Sequence, residues 1–504
     1  MKSNKIFITL FAGLSATLLL TNCSEDFLTK EPSGVLSTSQ LNEIAKNDPG
    51  SVLLPLTTGL YSTTFAYGSG GLSQHDDFGQ KCIDIVTDMM CADMAMPSNS
   101  YGWFRDDYNF VSQTKTENRA YGLWRYYYRL IKSANEVLDL IGGDGEVPED
   151  AESKAYYGQA KAVRAYCYFY LVNLYQHPYG EKKDKPGVPI YTSQLIPDFV
   201  GQSTVQEVYT LIINDLTEAI EVLKDYDRGS DKSKADKYVA YGLLANAYLM
   251  RGESGDYQKA VDAANAVIGS GKFPLMTAND VTKSGFNSIT IPSWIWAIDL
   301  TSENSPALPT FWGQVDYYTY SYAWAGDFKV IDADLYARIP TTDIRKQQFG
   351  SPSGGVGEDP LLPIYKFYDS DRSPGKRLWE NDEVYMRVEE LYLLKAEALA
   401  RDNKTSEAAT TLKELVDLRD PTTAATFASM SNAALLEEIY FNWRAEMWGE
   451  GKVYLAMKRY KKTVKRGPNH YLRAGESFAY NDSRMIFEIP EREELNNPYI
   501  VKQQ

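Results

Sequence analysis

With 504 residues the chain is long enough for one large core or two intertwined ones. Its 67 acidic against 52 basic residues leave a net charge of −15, which argues against nucleic acid or anionic lipid headgroups as partners, since both are polyanions. Composition is otherwise globular, but 37 tyrosines and 9 tryptophans stand out, because a ring with one polar tip suits wet binding surfaces as well as cores.

The first element is a leader. Lys2 and Lys5 precede a nearly unbroken apolar run from Ile6 to Leu20, the pattern of a secretory signal too short to remain as an anchor. It ends in Leu20-Thr21-Asn22-Cys23, which looks like a bacterial lipobox with Asn22 in place of the usual small residue. The expected organisation is a signal peptide over 1–22, lipidation at Cys23 and a polar tether over 23–34. No later run reaches the ~18 apolar residues of a membrane-spanning helix, so residues 35–504 should form one body held at a membrane by lipid alone.

Helical periodicity dominates that body. Tyr121 to Ile141 and Ser153 to Tyr175 read as a helix pair, the second with a stripe of Ala160, Val163, Cys167, Tyr170, Leu171 and Leu174. Arg164 falls inside this stripe and predicts a buried ion pair, with Glu446 or Glu450 as partner. Ser203 and Gln206 stand at capping-box spacing before a further helix. Next, two helices joined by a Gly-containing turn over 251–256 place small residues such as Ala247 and Ala260 at their contact, the shape of a tetratricopeptide unit. The pattern returns at 383–418, with Leu391, Tyr392, Ala396 and Leu399 answered by Leu412, Leu415 and Leu418, and a last helix fits Ala433 to Trp448. The fold class is therefore mostly α: helix pairs over about 118–270 and 383–450 form a scaffold. Irregular insertions over about 65–112 and 285–382 supply a second face. A short strand fits "SWIWAID", with at least one of Trp294 and Trp296 in the core, and "SPSGGVGEDP" is an open loop.

Cysteine and histidine usage is sparse. Cys167 reads as a buried thiol, whereas Cys82 and Cys91 either pair or remain two buried thiols. His75, His177 and His470 are scattered, so a zinc site is not expected, and no GxSxG, P-loop or GxGxxG motif occurs.

Six stretches in order make the sequence resemble the SusD/RagB family of nutrient-binding lipoproteins. They are "CSEDFLTKEP", "YGLWRYYYRLIKSANEVLDLI", "AKAVRAYCYFYLVNLYQHPYG" running into "GVPI", "MRVEELYLLKAEAL", "IYFNWRAEMWGEGKVYLAMKRY" and "MIFEIPEREELNNP". Lys452 stands where the family more often has arginine, and Asn442-Trp443 replaces an acidic residue before Arg444. The resemblance implies four tetratricopeptide-like pairs, no catalysis and no cofactor. It also implies capture of a nutrient, often an oligosaccharide, at the outside of the outer membrane, and a SusC-like TonB-dependent transporter as partner. Glu25 and Asp26 resemble the family's outward sorting signal.

The residues themselves offer aromatic rings for a glycan, whose CH faces stack on flat surfaces. Tyr101, Trp103 and Phe104 lie in one insertion; Trp312, Tyr317, Tyr318, Tyr320, Tyr322 and Trp324 lie in the other. The expected ligand contacts are Tyr101, Trp103, Trp312, Tyr317, Tyr320 and Trp324, with Asp77 as a hydroxyl acceptor. A platform of Trp103, Trp312, Tyr320 and Trp324 is the sharpest form of this expectation. Asp76, Asp77, Asp84 and Asp88 are close in sequence; a hydrolytic pair or a structural calcium ion is weighed there, although no EF-hand loop is present. A peptide-binding member of the family and a scaffold without a small ligand remain the alternatives.

Overall fold

The structure, a computed structural model, describes residues 38–72, 74–196, 199–354 and 359–501. Cys23, the tether and Gly355 to Glu358 of the open loop lie outside the described residues.

The longer helices are α1 (Thr38–Asn47), α2 (Pro49–Thr63), α3 (Gln80–Met90), α4 (Asn118–Ile141), α5 (Ala151–Tyr175), α6 (Val205–Val222), α7 (Lys237–Arg251), α8 (Asp256–Ile268), α9 (Val388–Arg401), α10 (Thr405–Val416), α11 (Asn432–Glu446) and α12 (Val453–Tyr460). Strands are two to five residues long and pair only in twos. Packing follows chain order: α4 lies on α5, α5 on α6, α7 on α8, α8 on α9, and α9 on α10. This is the tetratricopeptide-like arrangement. Ala247 and Ala260 are buried where α7 meets α8, and the left-handed Gly252 (φ 63°) closes α7 without a Cβ penalty.

Helix starts are chemically specified. The Asp150 side chain accepts the Ser153 N–H at 2.8 Å at the head of α5, and Asp236 accepts the N–H of Tyr238 and Val239 at the head of α7. The capping box before α6 is Thr204 with Glu207, one residue beyond the expected Ser203 and Gln206. Both pairs have suitable side chains at the same spacing; the helix begins at Val205, which makes Thr204 the residue before it and so the cap.

Three expectations change. Residues Glu383–Arg387 are a strand paired antiparallel with Trp294–Ile298, so α9 begins only at Val388, and both Trp294 and Trp296 are buried. Leu418 is 39 % exposed because α10 ends at Val416 before it can face inward. Arg164 is buried as expected but pairs with neither Glu446 nor Glu450. Its guanidinium reaches Asp215 on the adjacent α6 at 2.8 Å, Asp144 at 2.9 Å and Asn135 on α4 at 2.9 Å.

Glu446 and Glu450 serve a different buried cluster. Arg387 meets Glu446 and Glu450 at 2.8 Å each, Arg419 meets Glu446 at 3.0 Å, and Lys366 meets Glu450 at 2.9 Å. This network ties the strand before α9 to the end of α11 and to the second insertion. Cys82, Cys91 and Cys167 are all free, buried thiols, so Cys82 and Cys91 do not pair. No described helix is long and apolar enough to cross a membrane.

Candidate ligand-binding site

The two insertions meet through the strand pair of Met94–Ala95 with Val330–Ile331 and through a carboxylate that holds the neighbouring turn. Asp327 is buried, and its two oxygens accept the backbone N–H groups of Ser100 and Tyr101 at 2.5 Å each. Asn99 tightens the same turn, accepting the Gly102 N–H at 2.5 Å and donating to the Trp103 carbonyl at 2.7 Å. Phe104 then turns through the left-handed region (φ 61°), which buries its ring while Tyr101 and Trp103 stay toward the surface. Beneath it, Arg119 pairs with Asp76 at 2.9 Å and Asp107 at 3.0 Å. Lys329, buried 5.2 Å from the Phe104 ring centre, donates to Gln314 at 2.5 Å; burial lowers its pKa to about 7.

The first group of rings forms on this base. Trp103 stacks on His75 with centres 5.4 Å apart and planes 19° apart. Tyr322, from the other insertion, sits edge-on to Trp103 at 5.8 Å and to Tyr101 at 5.2 Å, and its hydroxyl hydrogen-bonds His75 Nδ1. Tyr67 meets the far edge of His75 at 5.8 Å. Tyr101 and Tyr67 are exposed, and Trp103, His75 and Tyr322 are half-buried. The group therefore offers ring surface while its members hold one another in place.

A second group lies on the same irregular segment as Tyr322. Tyr320 and Trp324 have centres 5.1 Å apart, and the Arg377 guanidinium covers the Tyr320 ring at 3.9 Å. Gly375 backs Trp324 so closely that a Cβ there would stand 3.2 Å from the indole, and its φ of +73° excludes most side chains as well. The Tyr320 N–H donates to the Lys376 carbonyl at 2.8 Å, and Trp379 Nε1 donates to the Tyr320 carbonyl at 3.2 Å.

The expected platform is thus only partly assembled. Trp103 joins the other insertion through Tyr322, whereas Tyr320 and Trp324 make their own group. Trp312 does not belong to either: it is 1 % exposed, in a short helix Phe311–Val315, with its ring edge-on to Phe311 and Phe367. Tyr317 is half-buried against the core and meets Tyr318. Asp77 is buried and its carboxylate is occupied by the N–H groups of Gly70 and Leu72, both at 2.9 Å, so it shapes the loop bearing Tyr67 and His75 and is not a free acceptor. Burial raises its pKa.

The other acidic residues are dispersed inward. Asp76 is paired to Arg119, Asp84 to Lys81 at 3.0 Å, and Asp88 is fully buried, with burial raising its pKa well above the usual carboxylate range. Among the described residues no group of three or more His, Cys, Asp or Glu side chains is placed to hold a metal ion. The residues that the sequence did not single out are Tyr67, His75 and Arg377. Only their position within the insertions could have pointed to them.

Comparison with known proteins bears on the whole chain. A family described as starch-binding, associating with the outer membrane, matches residues 67–249, and the SusD family matches 342–498. A SusD-like protein of Bacteroides ovatus is 26 % identical over 277 residues, covering 52 % of this chain and 44 % of its own. A SusD-like protein of Formosa agariphila is 23 % identical over 287 residues, 53 % of this chain and 50 % of its own. The matches thus span about half the length of these curated relatives. Among solved structures, a SusD-like carbohydrate binding protein of Bacteroides vulgatus superposes with a TM-score of 0.76 at 26 % identity, over 89 % of this chain and 96 % of that one. The surface glycan-binding protein A of Bacteroides thetaiotaomicron, solved with laminarihexaose, has the same fold, with a TM-score of 0.66 at 17 % identity over 88 % and 96 % of the two chains.

Proposed function

Because the chain belongs to the SusD/RagB family, we propose that it binds an oligosaccharide at the cell surface and delivers it to a SusC-like TonB-dependent transporter. In this reading it is a non-catalytic lipoprotein: a signal over 1–22, a lipid on Cys23, a tether over 23–34 and a single body over 35–504 that faces the exterior of the outer membrane. The observation that carries the reading is the ring group of Trp103, His75, Tyr322, Tyr101 and Tyr67, built where the two insertions meet.

A sugar ring has an apolar CH face and a hydroxyl rim. Ring surface that is exposed and prearranged can cover that face without first freezing mobile side chains, which is one of the costs of binding. The edge-to-face packing of Tyr322 on Trp103 holds the indole in one orientation. Catalysis by a carboxylate pair would need two acids across the bond being cleaved. The acids that burial perturbs are enclosed: Glu383 is raised to about 8, Asp93 to about 6, and Asp316, in the second insertion, to about 6 with its carboxylate filled by the Thr319 hydroxyl and the N–H groups of Tyr318 and Asp369.

Calorimetry with a panel of oligosaccharides tests the proposal, comparing wild type with Trp103→Ala and Tyr322→Ala. Binding that weakens in both folded variants supports it. Affinity for peptides alone would move the protein to the peptide-binding alternative. No affinity for either, with the transporter still retained, would leave only a scaffold, and new reducing ends on incubation with polysaccharide would reveal an enzyme.

A further inference from the structure

Taking the ring groups as the sugar-binding surface proposed above, we infer that the oligosaccharide carries carboxylate or sulfate groups and that Arg377 reads them. The loop from Arg372 to Arg377 carries three cations, and two of them are committed. Lys376 pairs with Asp369 at 3.0 Å and Asp371 at 2.7 Å. Arg372 lies over the Tyr365 and Tyr368 rings, at 4.3 and 4.1 Å, and donates to the Ile364 carbonyl at 2.8 Å. Arg377 is exposed, its guanidinium lies over the Tyr320 ring at 3.9 Å, and among the described residues it has no ion-pair partner.

A guanidinium at this distance from a ring is restrained by the ring face, and the exposed side chain leaves donors to solvent. A planar fork is the geometry that accepts a carboxylate or a sulfate through two parallel hydrogen bonds. Trp324 stands 5.1 Å from Tyr320, so the charge contact and an apolar ring face are adjacent. The first ring group has a similar border. Arg125 on α4 is exposed and lies against Gly71, on the loop that carries Tyr67 and His75, again with no ion-pair partner among the described residues. Exposed arginines stacked on a ring without an ion pair among the described residues also occur elsewhere, as Arg338 on Phe441 and Arg492 on Tyr121; what sets Arg377 apart is its place, on Tyr320 beside the exposed Trp324.

Net charge points the other way, since −15 repels an anion at long range. That repulsion is screened beyond about 8 Å at physiological ionic strength, whereas a charge-assisted fork acts at contact. Contact therefore decides which sugar is retained.

The experiment has two stages. An array of neutral, uronate-bearing and sulfated oligosaccharides identifies what wild type binds. Calorimetry then compares the best charged oligosaccharide with its carboxyl-reduced or desulfated counterpart, on wild type, Arg377→Gln, Arg377→Lys and Trp103→Ala. The expected result is that the charged form binds at least about tenfold more tightly, that Arg377→Gln removes most of this preference, and that Arg377→Lys restores it only in part. If wild type retains neutral sugars as well as charged ones, or if Arg377→Gln keeps the full preference, the charge inference fails. Loss of neutral binding in Trp103→Ala would show in that case that the ring site itself stands. Silence across the whole array would reject glycan binding and the inference with it.

Discussion

The carboxylate of Asp327 accepts the Tyr101 backbone N–H at 2.5 Å although 226 positions separate them in the chain. With the matching bond to Ser100, this one side chain clasps the turn that presents Tyr101 and Trp103. An amide in its place has only one accepting oxygen and would set an N–H against an N–H. Asp327→Asn should therefore loosen the turn and weaken oligosaccharide binding several-fold, because hydrogen bonds to a charged acceptor contribute about 1.5–3 kcal/mol. The midpoint of thermal unfolding should move by less than about 4 °C, since a large body spreads one local loss over a large unfolding entropy. Unchanged affinity in the folded variant would show that the clasp does not position the rings.

Two tryptophans expected on one platform should respond in opposite ways. Trp103 is half-buried and stacked on His75; Trp103→Ala should keep its unfolding midpoint within a few degrees and lose affinity. Trp312 is 1 % exposed; Trp312→Ala should cost about 3–5 kcal/mol of stability through the cavity it leaves. Thermal unfolding and calorimetry on both proteins separate the cases. A stable Trp312→Ala protein with weakened binding would return Trp312 to the ligand surface.

These two residues also show what the sequence could and could not convey. α5 was legible as a helix because its apolar residues recur at helical spacing, but the stripe understated its burial: every residue from Tyr157 to Tyr175 is buried, all round the helix. Irregular insertions have no period, so whether a tryptophan there is covered depends on partners such as Phe367, far along the chain from Trp312. Arg164 is similar: its stripe predicted a buried charge, but the packing of α5 on α6, invisible locally, made Asp215 the partner. The strand Glu383–Arg387 was hidden because "EVYMR" runs without a break into the helical "VEELYLLKAEAL". Arg377 was missed because an exposed arginine ordinarily means only a solvated surface.

Anchoring depends on a single atom in the proposed organisation, the Cys23 thiol sulfur. Cys23→Ala should abolish acylation and move the protein from the membrane fraction to the soluble fraction in cells lacking the transporter, since no described helix can span a bilayer. Fractionation and mass spectrometry of the N-terminus provide the readout. Retention of the variant in those membranes would mean that another attachment exists.

The buried cluster around Glu450 gives the scaffold an acid-sensitive joint. Burial acts to raise the Glu450 pKa, but Arg387 at 2.8 Å and Lys366 at 2.9 Å outweigh it and hold the group at about 2, below its ordinary 4.5. A carboxylate depressed in the folded state contributes its stability fully above the ordinary value. That contribution is lost as pH falls from 4.5 towards 2, and amounts to roughly 3 kcal/mol for a shift of this size. Glu450→Gln removes this titration and also leaves two buried cations short of a partner. Near neutral pH the variant should be less stable by about 3–5 kcal/mol. Between pH 4.5 and 2 its stability should fall less steeply than that of wild type, by about one proton taken up per molecule unfolding. Glu446, held well below its ordinary value by Arg419, Arg387 and Arg345 against the opposing effect of burial, keeps an acid limb in both proteins. The test is therefore the difference between two profiles of unfolding midpoint against pH, and parallel profiles would show that Glu450 does not carry the charge that this cluster requires.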